Sequence, residues 1–319
     1  MADVRLGVVS WNTAALLDRC LTALPGALAG LDAEIVVVDN ASTDGSAGVA
    51  SRHPGVQVIQ NEANVGYAKA MNQALDGSEA PVLIALNPDA EPPLGSLAVL
   101  VKELIDHPEA GLVVPRLVYG DGSRQHSVYR FPTVAVALVV SFVPVRLQRG
   151  WIGRRWLLEA ASVPPGSGDI DWAIGAVHVI RASALAGRRP YSERWFMYVE
   201  DLELCWWLHQ HGWSVRLAAD IEVPHVGNAA GAQAWGTSRA RRYWANTYDF
   251  DALARGGIHA RSLAAVNVAG TAWGIVRCRV ARITDPGGGW HHRVGAELRS
   301  LLPLHARVAL GRPPPADFG

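Results

Sequence analysis

The hydrophobic positions of the first 118 residues fall into short runs separated by amphipathic stretches. The runs at 4–10, 34–39, 56–60, 81–86 and 111–118 are rich in Val, Ile and Leu and hold few polar residues. Strands covered on both faces of a parallel sheet read this way. Between them, 13–24, 44–51, 66–75 and 93–106 space their apolar residues for helices with one buried face. The alternation predicts a mostly parallel, doubly wound α/β sheet with right-handed crossovers.

The pattern then changes. Residues 131–156 are apolar but studded with Arg146, Arg149, Arg154 and Arg155, and Pro164-Pro165-Gly166-Ser167-Gly168 reads as a connector. A strand is expected at 169–181, a helix at 201–211 and a strand at 213–218. Helices are expected at 233–254, 263–281 and 294–310, and Arg312-Pro313-Pro314-Pro315 reads as a tail. The sheet domain is therefore expected over 1–255, a helical extension over 256–311 and the tail over 312–319.

Three of the apolar runs end in polar clusters: Val8-Val9-Ser10-Trp11-Asn12, Val36-Val37-Val38-Asp39-Asn40-Ala41-Ser42-Thr43-Asp44-Gly45-Ser46 and Leu86-Asn87-Pro88-Asp89. Polar strand tips at the carboxyl edge of an open α/β sheet form a ligand site. GxGxxG does not follow the first strand, where Ser10-Trp11-Asn12 stands, and there is no GxxxxGK[ST]. Nicotinamide and P-loop chemistry are thereby disfavoured, and a divalent cation held by carboxylate is the usual substitute for neutralising phosphate. Asp89 stands where such an ion would sit, although a strand-end Asp also serves as a turn former.

Composition narrows the picture. The formal net charge of the 319 residues is zero and 18% are charged, so no overall basic field speaks for nucleic acid as a partner. The three cysteines, Cys20, Cys205 and Cys278, lie far apart without zinc-ligand spacing. Residues 1–5 lack a signal-peptide pattern, and no apolar run reaches the ~20 residues of a membrane span. A cytoplasmic location is expected. Twelve tryptophans suit sugar-binding or interfacial surfaces as well as a core.

Five blocks, in order, resemble family 2 glycosyltransferases of the GT-A fold, most of all bacterial rhamnosyltransferases. They are Val9-Ser10-Trp11-Asn12, the Val38–Ser46 block, Asn64-Val65-Gly66-Tyr67-Ala68-Lys69-Ala70-Met71-Asn72, Leu86-Asn87-Pro88-Asp89, and Phe196-Met197-Tyr198-Val199-Glu200-Asp201-Leu202-Glu203-Leu204-Cys205. The resemblance spans residues 4 to about 246. It implies a nucleotide-sugar-binding half at 1–118 and an acceptor and catalytic half at 165–230.

The resemblance also implies residue roles. Asp39 would accept the imide N–H of uracil or thymine, a fit for an acceptor-only carboxylate. Ser10, Asn12, Asn40, Asn64, Gly66, Lys69 and Asn87 would line the nucleotide, with Lys69 equally readable as a solvated helix charge. Asn87-Pro88-Asp89 replaces the family's DxD, so Asp89 alone would hold Mg²⁺ or Mn²⁺, with His225 as a second ligand or a structural histidine. Asp201 would be the general base. Glu200, Trp172, Gly175 and Ala176 would line the donor and acceptor pocket; Trp172 and Trp195 serve equally as core. The chain departs from the family at Trp207, where an arginine is common, and at Asn228-Ala229-Ala230, where a serine is expected.

The implied activity is metal-dependent, inverting transfer of a sugar from a nucleotide-sugar donor, dTDP-L-rhamnose or else a UDP-sugar, in cell-wall or surface glycan assembly. The acceptor would be a glycan or polyprenyl-linked sugar. A noncatalytic nucleotide-sugar-binding protein of the same fold and a structural scaffold are the alternatives. Residues 131–156 and 273–282 fit peripheral contact with the inner face of the cell membrane, a helix covering the sheet, or a homodimer interface.

Overall fold

The computed structural model describes residues 2–148, 151–157, 166–227, 238–284 and 289–315. They group into two compact units, Met1–Tyr129 with Pro165–Gln233 and Arg130–Pro164 with Ala234–Gly319. In chain order the elements are β1 (Val4–Ser10), α1 (Ala14–Leu28), β2 (Ala33–Asp39), α2 (Ser46–Ala50), β3 (Val56–Gln60), α3 (Tyr67–Leu75), β4 (Val82–Leu86), α4 (Ser96–Asp106), β5 (Ala110–Val118), β6 (Val128–Tyr129), α5 (Val134–Phe142), α6 (Val145–Gln148) and α7 (Trp151–Trp156). Then come β7 (Gly168–Ile170), β8 (Trp172–Ala173), β9 (Val177–Arg181), α8 (Glu200–Gln210), β10 (Ser214–Pro224), α9 (Arg239–Arg255), α10 (Gly257–Thr284) and α11 (Gly289–Ala309).

The first unit is an eight-stranded sheet in the order β3-β2-β1-β4-β9-β5-β10-β7. Strands β3, β2, β1 and β4 run parallel, as the βαβ rhythm predicts. Strand β9 is antiparallel to both β4 and β5, while β10 is parallel to β5. The register pairs Ser10 with Asp39, Val8 with Leu86, and Leu86 with Val177. The carboxyl ends of β1, β2 and β4 and the start of β9 therefore share one edge, and the polar tips become neighbours. The fold is the mixed, mostly parallel sheet that the resemblance implies, and helices follow it towards the C-terminus.

Burial explains why the first half is legible. Val4, Leu6, Val8, Val37, Ile84 and Leu86 are almost fully buried, packed with Leu17, Leu24, Leu97 and Leu100 from α1 and α4. Each such side chain contributes roughly 1.5–3 kcal/mol on leaving water.

Several elements differ from expectation, and α11 starts at Gly289 rather than 294. Helix α1 continues through Pro25 to Leu28. The strand expected at 169–181 is three pieces: β7 pairs with β10, β8 with β6, and only β9 enters the middle of the sheet. Strand β10 runs on to Pro224 across a register shift between Ala218 and Glu222, which brings the polar Asp220 and Glu222 into a strand. Helix α10 is longer at both ends than 263–281. Residues 233–237 of the expected 233–254 helix, and Pro164-Pro165 of the connector, lie outside the described residues.

The second unit packs α5, α9, α10 and α11 around Ala137, Ala245, Tyr248, Leu263, Leu304 and Val308. Its interior polar groups are matched: the Tyr248 hydroxyl meets His305 Nδ1 at 2.8 Å and accepts from Asn267 Nδ2 at 2.8 Å, and the buried Asp251 carboxylate meets Arg255 and His259. Among the described residues no helix is long and apolar enough to cross a membrane.

Candidate active site

At the tip of β2, Asp39 is 4% exposed. Its Oδ2 accepts the Ser42 N–H at 3.2 Å, while Oδ1 is buried without a donor. An unmatched buried acceptor costs about 1–3 kcal/mol, a cost removed when a ligand brings an N–H.

The other polar residues of these loops hold each other. The Asn12 side chain accepts from the Thr43 N–H at 2.8 Å, and the Asn12 N–H donates to Ser42 Oγ at 2.9 Å. Asp44 accepts the Ala14 N–H at 2.8 Å, capping α1 from the loop after the next strand. Burial raises the Asp44 carboxyl, but the Ser46 hydroxyl and the backbone donors outweigh it and hold the group below its usual range. Ser10 is fully buried, its hydroxyl 2.9 Å from that of Thr13. The Asn40 amide donates to Asn64 Oδ1 at 2.8 Å and accepts from Asn61 Nδ2 and the Val65 N–H. Thus Ser10, Asn12, Asn40 and Asn64 build the cradle walls through their side chains, and Lys69 is exposed on α3.

Gly66 opens α3 at φ +88°, ψ 166°, a region essentially limited to glycine. A Cβ there would overlap the Phe196 carbonyl oxygen, which instead accepts the Tyr67 N–H at 2.9 Å. The close backbone approach that Gly66 permits is thus made by the segment leading to Glu200 and Asp201.

Past β4, Asp89 and His225 meet. They are 6% and 5% exposed, and His225 Nε2 lies 3.1 Å from Asp89 Oδ1. That approach misses hydrogen-bond geometry, so Nε2 has no hydrogen-bond partner. His225 Nδ1 faces Gln125 Oε1 at 2.7 Å, a contact that a proton on Nδ1 satisfies. Burial raises the Asp89 carboxyl, yet the adjoining His225 and the N–H of Gly227 hold it below its usual range. The backbone fixes the pair: Val226 N–H donates to Asp89 O, Gly227 N–H to Asp89 Oδ2, and His225 N–H to Val118 O. Among the described residues no third His, Cys, Asp or Glu joins a metal-sized cluster. Gln125 carried no signal in the sequence. Asn228-Ala229-Ala230 lie outside the described residues, and Asn87 is half-buried, its N–H bonded to Ala176 O at 2.9 Å.

The acid pair opens α8. Asp201 accepts the N–H of Leu202 at 2.8 Å and of Gly175 at 3.1 Å. Burial pushes its carboxyl up to about 6 against those two donors. Glu200 is buried, with Oε2 unpartnered, and burial together with the Asp201 charge lifts it well above the carboxylate range. Of the two, Glu200 is the one held more strongly in the protonated form, and Asp201, with its two N–H donors, favours the carboxylate. Tyr67, whose hydroxyl donates to Gly175 O at 3.2 Å, is raised by burial and then by the charges of Glu200, Asp201 and Asp89. These three carboxylates thus act on one hydroxyl, which ties the α8 acids to the β4 turn. The preceding Tyr198 and Val199 both have positive φ, +70° and +81°. For a β-branched valine this is strained backbone, of the kind that concentrates at functional sites.

Other expected pocket residues lie inside. Trp172 stacks on Tyr129 with ring centres 4.7 Å apart, and Trp195 is also buried. Ala176 belongs to the sheet core, whereas at Gly175 a Cβ would meet only ordinary contacts, Asp201 among them. Trp207 packs between the His211 ring and the Arg188 guanidinium, which forks onto Glu203.

Residues 6–160 match the model of glycosyl transferase family 2. The chain is 28% identical over 231 residues to the N-acetylglucosaminyl-diphospho-decaprenol L-rhamnosyltransferase of Mycobacterium tuberculosis, covering 68% of this chain and 74% of the relative. Among solved structures, the mannosyltransferase PcManGT from Pyrobaculum calidifontis, in complex with GDP-Man and Mn²⁺, superposes with a TM-score of 0.58 at 18% identity over 97% of this chain and 87% of the other. S. aureus TarS superposes with a TM-score of 0.51 at 15% identity over 83% of this chain and 42% of that chain. Residues 6–160 thus carry a glycosyl transferase family 2 domain, and the chain is similar to a rhamnosyltransferase over 68% of its length.

Proposed function

We propose that this protein is an inverting, divalent-cation-dependent glycosyltransferase that moves L-rhamnose from dTDP-L-rhamnose to a hydroxyl of a polyprenyl-linked acceptor in cell-wall glycan assembly, at the cytoplasmic face of the membrane. The observation that carries this reading is the Asp201 carboxylate, held by two backbone N–H groups at the sheet edge where Asp89 and His225 also meet. The rhamnosyl donor and lipid-linked acceptor follow the M. tuberculosis relative, whose name records both.

Each residue then has a task. Asp39 Oδ1 receives the imide N–H of the base. Asp89 and His225, whose Oδ1 and Nε2 face each other at 3.1 Å, would hold the cation, which when bound would supply positive charge against the departing nucleoside diphosphate. Asp201 takes the acceptor proton as the hydroxyl oxygen bonds to the anomeric carbon and the sugar–phosphate bond breaks on the opposite side, which inverts the centre. Burial raises Glu200 further than Asp201 with its two N–H donors, which favours Asp201 as the ionised member of the pair.

Turnover of dTDP-L-rhamnose with a polyprenyl diphosphate-linked N-acetylglucosamine acceptor tests the reading. Asp201→Asn should lower turnover by about 10²–10⁴-fold while nucleotide affinity holds. Near-normal turnover in that variant removes Asp201 as base, and faster turnover of a UDP-sugar replaces the donor.

A further inference from the structure

The net charge of zero conceals a division. The second unit, Arg130–Pro164 with Ala234–Gly319, contains 17 arginines and six acidic residues, a formal +11; the first unit, with 12 basic and 23 acidic residues, carries −11. Two stretches of the basic unit hold no acid at all: 131–158 and 252–284. The described carboxylates of this unit, Asp249, Asp251 and Glu297, belong to α9 and α11.

The two acid-free stretches are neighbours. Helix α5 crosses α10 at Ser141 and Gly270, so closely that a Cβ on Gly270 would overlap the serine side chain. Both helices leave apolar side chains in water. On α10, Ala265, Ala269, Ala272, Val276 and Val280 recur at helical spacing on an exposed face, with Trp273 beside them. Trp273, Val276 and Val280 are 49%, 46% and 56% exposed. Exposed Arg261, Arg277 and Arg279 edge the stripe. On α5 and just after it, Leu138, Val140, Phe142 and Leu147 are exposed together with Arg146.

We infer that α10 and α5 form a docking face for an anionic lipid bilayer. An exposed apolar stripe edged by arginine and tryptophan is the composition of a helix lying in the membrane interface. Guanidinium groups draw it to anionic headgroups. No described helix is suited to crossing the bilayer, so the face lies on it. A nucleic acid would meet the arginines but leave the valines and tryptophan in water. A second copy would set one basic face against another. The inference is independent of which sugar is transferred.

Flotation of the purified full chain with phosphatidylcholine vesicles, with and without phosphatidylglycerol, tests it without nucleotide or turnover. The protein should float with the anionic vesicles, and high salt should release much of it. Arg277→Glu with Arg279→Glu should weaken binding on the order of tenfold or more. Val280→Glu, a separate exposed change, should weaken it at unchanged circular dichroism and melting temperature. Equal flotation with neutral vesicles, no loss in well-folded variants, stronger binding to an oligonucleotide than to vesicles, or a dimer dissolved by the same substitutions would each overturn the proposal.

Discussion

Replacing Gly66 by alanine tests how the donor half of the site is joined to the catalytic acids. At φ +88°, ψ 166° an alanine is strained by about 1–3 kcal/mol. Its Cβ would also overlap the Phe196 carbonyl oxygen and stand 3.1 Å from the Phe196 C and Cα atoms. That carbonyl is fixed by the Tyr67 N–H at 2.9 Å, so relief breaks a hydrogen bond worth about 1 kcal/mol. The sum is about 2–4 kcal/mol. Gly45 is the matched control: it has φ +88°, ψ 12° and nothing within 4 Å of the place a Cβ would take, so Gly45→Ala should cost only about 1–2 kcal/mol. Urea unfolding followed by tryptophan fluorescence reads both, with Trp195 buried one residue before Phe196. Turnover should fall in Gly66→Ala beyond what its folded fraction explains, because residues 196–201 move with the displaced carbonyl. Equal destabilisation by the two substitutions would refute the argument that the Phe196 approach fixes this joint.

Two further outcomes are expected. Turnover should follow deprotonation of the acid pair at an apparent value near 6, losing about tenfold from pH 7 to pH 5; a profile flat over that range would exclude Asp201 as the titrating base. His178, fully buried against the Tyr191 hydroxyl at 3.0 Å, is lowered by burial from 6.5 to about 4. The unfolded chain takes up this proton below pH 6.5 and the folded chain does not, so stability is complete above pH 6.5 and declines by about 3 kcal/mol on acidification to pH 4. His178→Gln should flatten that slope of unfolding free energy, and an unchanged slope would show that another group causes it.

The parallel half of the sheet is legible because β1, β2 and β4 carry buried residues on both faces, so Val36-Val37-Val38 or Leu83-Ile84 admit few other structures. The insertion of β9 between β4 and β5 is not legible: nothing local in Val177–Arg181 distinguishes an antiparallel neighbour from a parallel one. The single strand expected at 169–181 fails because the pieces around Ile174-Gly175 bond to different partners, Ile174 through its N–H to Ser127 O. The reading of β10 stops at Ala218 because Asp220 and Glu222 look like loop, whereas a bulge carries them. In the site, the acids Asp39, Asp89 and Asp201 stand out as carboxylates at strand or helix ends. The polar residues around them do not sort themselves: Asn12 and Asn40 resemble ligand contacts in the sequence, and only the structure shows their amides bonded within the loops. Gln125 is a single amide in a polar stretch, one hundred positions from its histidine.

The bonds that join Asn12 to Thr43, the Asn12 N–H to Ser42 and Asp44 to Ala14 have a practical corollary for anyone altering donor choice. Residues 10–14 and 39–46 form a single graftable cassette although a whole helix and most of a strand separate them. Swapping one segment from a homologue leaves donors and acceptors of the other facing water or nothing. Recombination libraries that move both together keep the mortise and tenon intact, and chimaeras cut between them should be lost at the level of folding before base preference is ever sampled.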